Sequence, residues 1–185
     1  MLSADPLLIG AVYIEADLGS DLQGDTFEVT FEGGAAGTEL MRIIIDGDQL
    51  AAGFGLGDVF FDTIHSGPTA DNAGLGADQA FPFTLGSQQG IDSVSWQVVD
   101  GTSLLMIDFA GFTAGDKLIF FIDVDEVEDF DPGETDITII NDGFDPITSG
   151  VEFQGSLLTA HFTARHYQDT SGTAEFRNRY PHLMD

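Results

Sequence analysis

The feature that most constrains this chain is the stretch 117–136, where an apolar run empties directly into a block of acids. Lys117-Leu118-Ile119-Phe120-Phe121-Ile122 is rich in β-branched and aromatic residues and reads as a buried strand. Asp123, Asp125, Glu126, Glu128, Asp129, Asp131, Glu134 and Asp136 follow it. Carboxylates packed this closely repel one another, and a core strand ending in them frays unless a cation sits there. Ca²⁺ fits, because it takes six to eight oxygen ligands and tolerates irregular geometry. Pro132-Gly133 supplies a turn that folds the loop back on an ion. A solvated acidic loop is the alternative reading.

The same logic extends along the chain. Glu15, Asp17 and Asp21 close a first strand, Leu7–Ala16, and the series Asp17, Asp21, Asp25 and Glu28 resembles part of an EF-hand spacing but has Leu22 at the turn position instead of Gly and no flanking helix. Asp46, Asp48, Asp58 and Asp62 form a second candidate cation cluster around the strand Val59-Phe60-Phe61. An Asp-Gly turn explains Asp46-Gly47 equally well. Asn141, Asp142 and Asp145 make a third acidic turn, of which Asp142 is the candidate ligand. The expectation is several Ca²⁺ ions held at strand ends.

Charge supports this and excludes other partners. The chain carries 32 acids and 5 bases, a formal net charge of −27. That argues against nucleic acid and against anionic membrane surfaces. A halophile-type acidic surface is the competing explanation, but it spreads charge over every exposed strand, whereas here the acids crowd into turns. No apolar run approaches a membrane span. Cysteine is absent, which excludes disulfides and thiolate metal sites.

Hydrophobic residues make up 43 % of the chain and Phe numbers 16, enough for a sizeable core. Phe27, Val29 and Phe31 alternate with Glu28, Thr30 and Glu32, the pattern of a half-buried strand. Leu40–Ile45 reads as another. Val94-Ser95-Trp96-Gln97-Val98, the turn Asp100-Gly101 and Leu104–Phe109 make the clearest hairpin. Trp96 shares the apolar face of that strand and is expected in the core rather than as a sugar platform. Ile137–Ile140, a hairpin over Val151–Thr163 bent at Gly155, and a tail strand Thr173–Tyr180 complete the set. About ten strands with no amphipathic helix predict an all-β, antiparallel β-sandwich, jelly-roll topology included, with long calcium-binding loops. The expected organisation is one domain over 1–185, cut from a larger multidomain protein, and monomeric. No signal peptide is visible in the opening residues.

The region His65–Gly90 reads as one long loop rich in Gly and Pro, carrying Asp71, Asn72 and Asp78 as extra oxygen donors. With Asp58 and Asp62 it is the expected ligand-binding wall. Arg177 and Arg179 form a basic pole that grips a ligand carboxylate or pairs with the acidic loops. His161 and His166, at odd spacing, face opposite sides of a strand, which disfavours a shared zinc. No nucleophile elbow, metalloprotease motif or Cys nucleophile is present, so an enzyme is not expected.

The Asp/Gly-rich strand ends, Asp46-Gly47-Asp48, the loop Asp123–Asp136 and the lack of Cys resemble a non-repetitive module of the large RTX adhesins that bacteria export by type I secretion. The family's glycine-rich nonapeptide repeat is absent. The resemblance implies a secreted, cell-surface, calcium-dependent adhesion module that recognises a peptide or glycan on a target cell. A calcium-stiffened spacer is the second reading, and a glycoside-active enzyme the third.

Overall fold

The structure is a computed structural model and describes residues 6–14, 24–49, 53–64, 72, 75, 80–127, 153–163, 167 and 170–177. Ten strands form two antiparallel sheets, and no α-helix occurs among the described residues. The strands are β1 (Leu7–Ile14), β2 (Asp25–Gly33), β3 (Leu40–Asp46), β4 (Val59–Asp62) and β5 (Thr84–Gln89). They continue with β6 (Ser93–Val98), β7 (Leu104–Phe112), β8 (Lys117–Glu126), β9 (Leu157–Phe162) and β10 (Ser171–Glu175). The first sheet runs β1-β2-β8-β4 with β5 also on β8, and the second runs β10-β9-β3-β7-β6. This is the β-sandwich that the alternation predicts.

The period of two assigns faces strand by strand. In β2, Phe27, Val29 and Phe31 are buried in the core while Glu28 and Thr30 are half-exposed. In β8, Leu118, Phe120, Ile122 and Val124 enter the same core. A ladder of rings crosses the sandwich. Trp96 lies 4.3 Å from Phe83, Phe83 4.9 Å from Phe120, and Phe120 4.9 Å from Phe27. Tyr13 then joins Phe27 at 5.1 Å and Phe153 at 4.5 Å. Each such pair contributes about 0.5–1.5 kcal/mol beyond its buried area.

The structure corrects three expectations. β8 does not stop at Ile122 but continues through Glu126, so Asp123, Asp125 and Glu126 belong to a strand and not to a loop. It continues because β4 takes over as its partner, with Val59 opposite Glu126 and Asp62 opposite Asp123. The region read as one long loop contains β5, which pairs with β8 over Lys117–Phe121. Trp96 faces the core side of β6 but is 41 % exposed, because β6 is the edge of its sheet and the ring sits at the open margin of the sandwich. Of the expected hairpin over 151–163, the described residues hold one strand, β9, after a turn at 153–155. The tail strand is Ser171–Glu175, and the stretch 137–140 lies outside the described residues.

Candidate metal centre

β8 sends Leu118, Phe120, Ile122 and Val124 inward, so Asp123 and Asp125 must point to the outer face of the sheet. Outer faces meet water, yet Asp123 and Asp125 are each 1 % exposed. Asp62 sits directly opposite Asp123 and is 2 % exposed. One carboxylate oxygen from each of Asp62, Asp123 and Asp125 lies within 4.8 Å of the other two.

A second, small hydrophobic cluster lies on this face. Phe60, which pairs with Asp125, packs with Val127, Phe54 and Leu75. Phe60 and Asp62 share one face of β4, while Val59 and Phe61 occupy the opposite face in the main core. The carboxylates are therefore set beside an apolar patch in which Phe54 and Leu75 take part.

The backbone at this point is pinned from several sides. β4 and β5 follow one another along the same edge of β8, and Phe81 joins them. The Phe81 N–H donates to the Asp62 carbonyl at 3.2 Å, and the Phe81 carbonyl accepts from the Asp123 N–H at 3.1 Å. Phe61 exchanges hydrogen bonds with the 101–102 turn of the other sheet, through its N–H to the Thr102 carbonyl and its carbonyl to the Gly101 N–H. Two adjacent residues of the triad strands are thus fixed to both halves of the sandwich.

Asn72 sits over the site. Its Nδ2 donates to Asp62 Oδ1 at 2.7 Å and to Asp100 Oδ2 at 2.9 Å. Asp100 Oδ1 in turn accepts from the Thr63 N–H at 2.6 Å and the Ile64 N–H at 3.0 Å. The Val124 N–H donates to Asp123 Oδ1 at 3.1 Å. Asp123 Oδ2 and Asp125 Oδ2 are buried atoms that accept no hydrogen bond.

The expected second cluster does not assemble as one unit. Asp62 joins the β8 acids instead. Asp46 Oδ1 accepts from the Asp48 N–H and the Ser103 hydroxyl, both at 3.0 Å. Asp58 is fully buried and accepts from the Gln49 N–H at 2.7 Å and the Gly55 N–H at 2.8 Å. Both acids act as staples for the loops around β4, as Asp does in turns generally. Glu126 is half-buried at the end of β8.

No protein-family model, curated protein or solved structure matches this chain.

Asn72, expected to contact a ligand, is held between two carboxylates. Arg177 is exposed and lies 3.4 Å from Glu175. Glu15, Asp17, Asp21, Asp71, Asp78, Glu128, Asp129, Asp131, Glu134, Asp136, Asp142 and Arg179 lie outside the described residues. Asp100 escaped the reading of the sequence, because Asp-Gly between two strands announces only a turn. The signal that marks Asp123 and Asp125 is the alternation Asp-Val-Asp after an apolar run, which puts two acids on one face, whereas Asp62 joins them only through the pairing of β4 with β8.

Proposed function

We propose that the protein is a calcium-stabilised β-sandwich that serves outside the cell as a ligand-binding, adhesion-type module. The observation that carries the cation is the buried triad Asp62, Asp123 and Asp125, with three oxygens inside 4.8 Å. Carboxylates this close, at the effective dielectric of a protein, repel by on the order of 3 kcal/mol per pair. A divalent cation reverses the sign of that energy. Calcium–oxygen distances of about 2.4 Å allow two ligands of one ion to stand up to about 4.8 Å apart, which suits the triad. An all-carboxylate donor set without His or Cys favours a hard cation over a transition metal. The net charge of −27 makes the chain a poor partner for nucleic acid and favours neutral or basic ligands. The resemblance to RTX adhesin modules supports secretion and adhesion in the same reading.

The test is a calcium titration of EDTA-stripped protein, followed by calorimetry and thermal unfolding at fixed ionic strength. An ion bound only by the folded state stabilises it by about 2.7 kcal/mol at a concentration a hundred times its Kd. The expected result is a saturable heat and a rise in Tm with Ca²⁺, with molar NaCl a poor substitute. An unchanged melting curve in Ca²⁺ and in EDTA overturns the cation. Recovery by NaCl alone points to halophilic acidity.

A further inference from the structure

We propose that β1 is a docking edge for an extended, basic-ended peptide, which adds to the first sheet as a further strand. The inference names a partner for the binding-module reading and does not depend on the cation.

β1 is the last strand of its sheet, and among the described residues none lies beyond it. Its eight residues, Leu7-Leu8-Ile9-Gly10-Ala11-Val12-Tyr13-Ile14, include no charged side chain. Natural edge strands are usually guarded by charge, Pro or a bulge. Here the pairing with β2 is regular from Leu7–Gly33 to Ile14–Thr26.

The hydrogen-bond phase shows what the edge offers. The Gly34 N–H donates to the Pro6 carbonyl at 3.0 Å, so Pro6 and the residues two, four and six further on bond towards β2. The other side of β2 agrees. Phe31, of the opposite phase, bonds towards β8, donating to the Asp116 carbonyl and accepting from the Gly115 N–H. Leu7, Ile9 and Ala11 therefore turn N–H and C=O to the outer edge of β1, the array that strand addition uses.

Side chains define the occupant. Leu8, Val12 and Ile14 stand on the outer face with exposures of 54, 51 and 50 %. An added strand places alternate apolar residues beside them. Glu32 is exposed opposite Leu8, and the chain carries Asp5 just before β1 and Glu15 and Asp17 just after it. An uncharged apolar strand on a chain of net charge −27 is complementary to a strand with an apolar middle and Lys or Arg ends. A second copy of this chain fits less well. Antiparallel pairing of two β1 strands brings together molecules of net charge −27 each, which repel.

The test uses a labelled ten-residue peptide that alternates Ile or Val with Thr and has two lysines at each end. Its charge-reversed twin has glutamates instead. Anisotropy is measured with calcium-loaded and EDTA-treated protein. Saturable binding of the lysine peptide is expected, with the glutamate peptide weaker by about tenfold or more, a difference of about 1.4 kcal/mol. Ala11→Pro removes an outward N–H and leaves the β2 ladder intact, so it should weaken binding by a similar factor. Leu8→Lys with Val12→Lys should do the same through the outer face, and both sites are exposed enough for the fold to survive. No binding of either peptide, or binding indifferent to both variants, overturns the proposal. So does self-association in sedimentation that Ala11→Pro abolishes, which assigns the edge to a second copy. Peptide binding that survives without any calcium response supports this inference and tells against the cation.

Discussion

Asp62 and Asp123 are direct cross-strand partners in the β4–β8 ladder, both buried, with the Phe81 backbone bonded to both. Like charges placed directly opposite in a sheet are destabilising. Asp125, two residues along the same face, adds a third. The arrangement persists in a folded protein only if something offsets the repulsion, and this makes the sign of a mutational effect informative.

Asp125→Asn should therefore act in opposite directions in the two states. In EDTA the change removes one of three crowded charges at nearly constant shape, and Tm should rise by several degrees, about 5 °C. In saturating calcium the same change removes a ligand, and the calcium-induced rise should shrink or vanish. Thermal unfolding of wild type and variant, each with EDTA and with calcium, reads both arms. A variant that is destabilised equally in both conditions shows the carboxylate to be a structural acceptor only.

Gly101 has φ of +70°, and a Cβ there would stand 2.4 Å from Asn72 Oδ1. Gly101→Ala should therefore displace Asn72 and break its bonds to Asp62 and Asp100, besides straining the turn. Gly53 is the control, since its φ is +85° but nothing lies within 4 Å of the added atom. Gly53→Ala should cost about 1 kcal/mol, the strain of the backbone alone. Gly101→Ala should cost about 2–3 kcal/mol, the difference being the lost hydrogen bonds. Urea denaturation of the two variants measures both, and equal costs would mean that Asn72 contributes nothing.

Phe60 is fully buried, but in the small outer cluster rather than the main core. Phe60→Ala should cost about 3–5 kcal/mol, as large aromatic deletions do. It should also open the face that holds Asp125, its register partner, to water. Calcium affinity should then fall together with stability. Leu105→Ala, in the main core and on β7 of the other sheet, should lower stability without a matching loss of affinity. Calorimetric titration of both variants at a temperature where each is folded separates the two effects.

Alternation made the main sandwich legible, because Phe27-Glu28-Val29-Thr30-Phe31 states its buried face in its own letters. It failed where tertiary pairing overrides local character. β5 reads Thr-Leu-Gly-Ser-Gln-Gln and offers one inward apolar side chain, Leu85, so only its ladder to β8 reveals it as a strand. The end of β8 failed for the opposite reason. Asp123 and Asp125 look like loop residues, although Val124 and the period of two continue the strand through them. Asp123 and Asp125 stand in one acidic block of the sequence and Asp62 in another, and nothing in the sequence joins the blocks. β4 does that by pairing with β8.

Trp96 shows the same limit, and its place can be checked directly. It is the sole tryptophan, on the core-facing side of an edge strand, 41 % exposed and stacked on Phe83. Intrinsic tryptophan fluorescence thus reports one position. Its emission should be quenched by acrylamide in the folded protein, which a fully buried indole would resist. Trp96→Ala should cost about 1–2 kcal/mol, well below the 3–5 kcal/mol typical of a buried Trp, because much of the ring stays in water in the native state. Phe83→Ala, at 8 % exposure and stacked on both Trp96 and Phe120, should cost more and shift the Trp96 emission to the red. If Trp96 resists quenching and its removal costs as much as that of Phe83, the ring is enclosed by the sandwich and the margin beside β6 is closed.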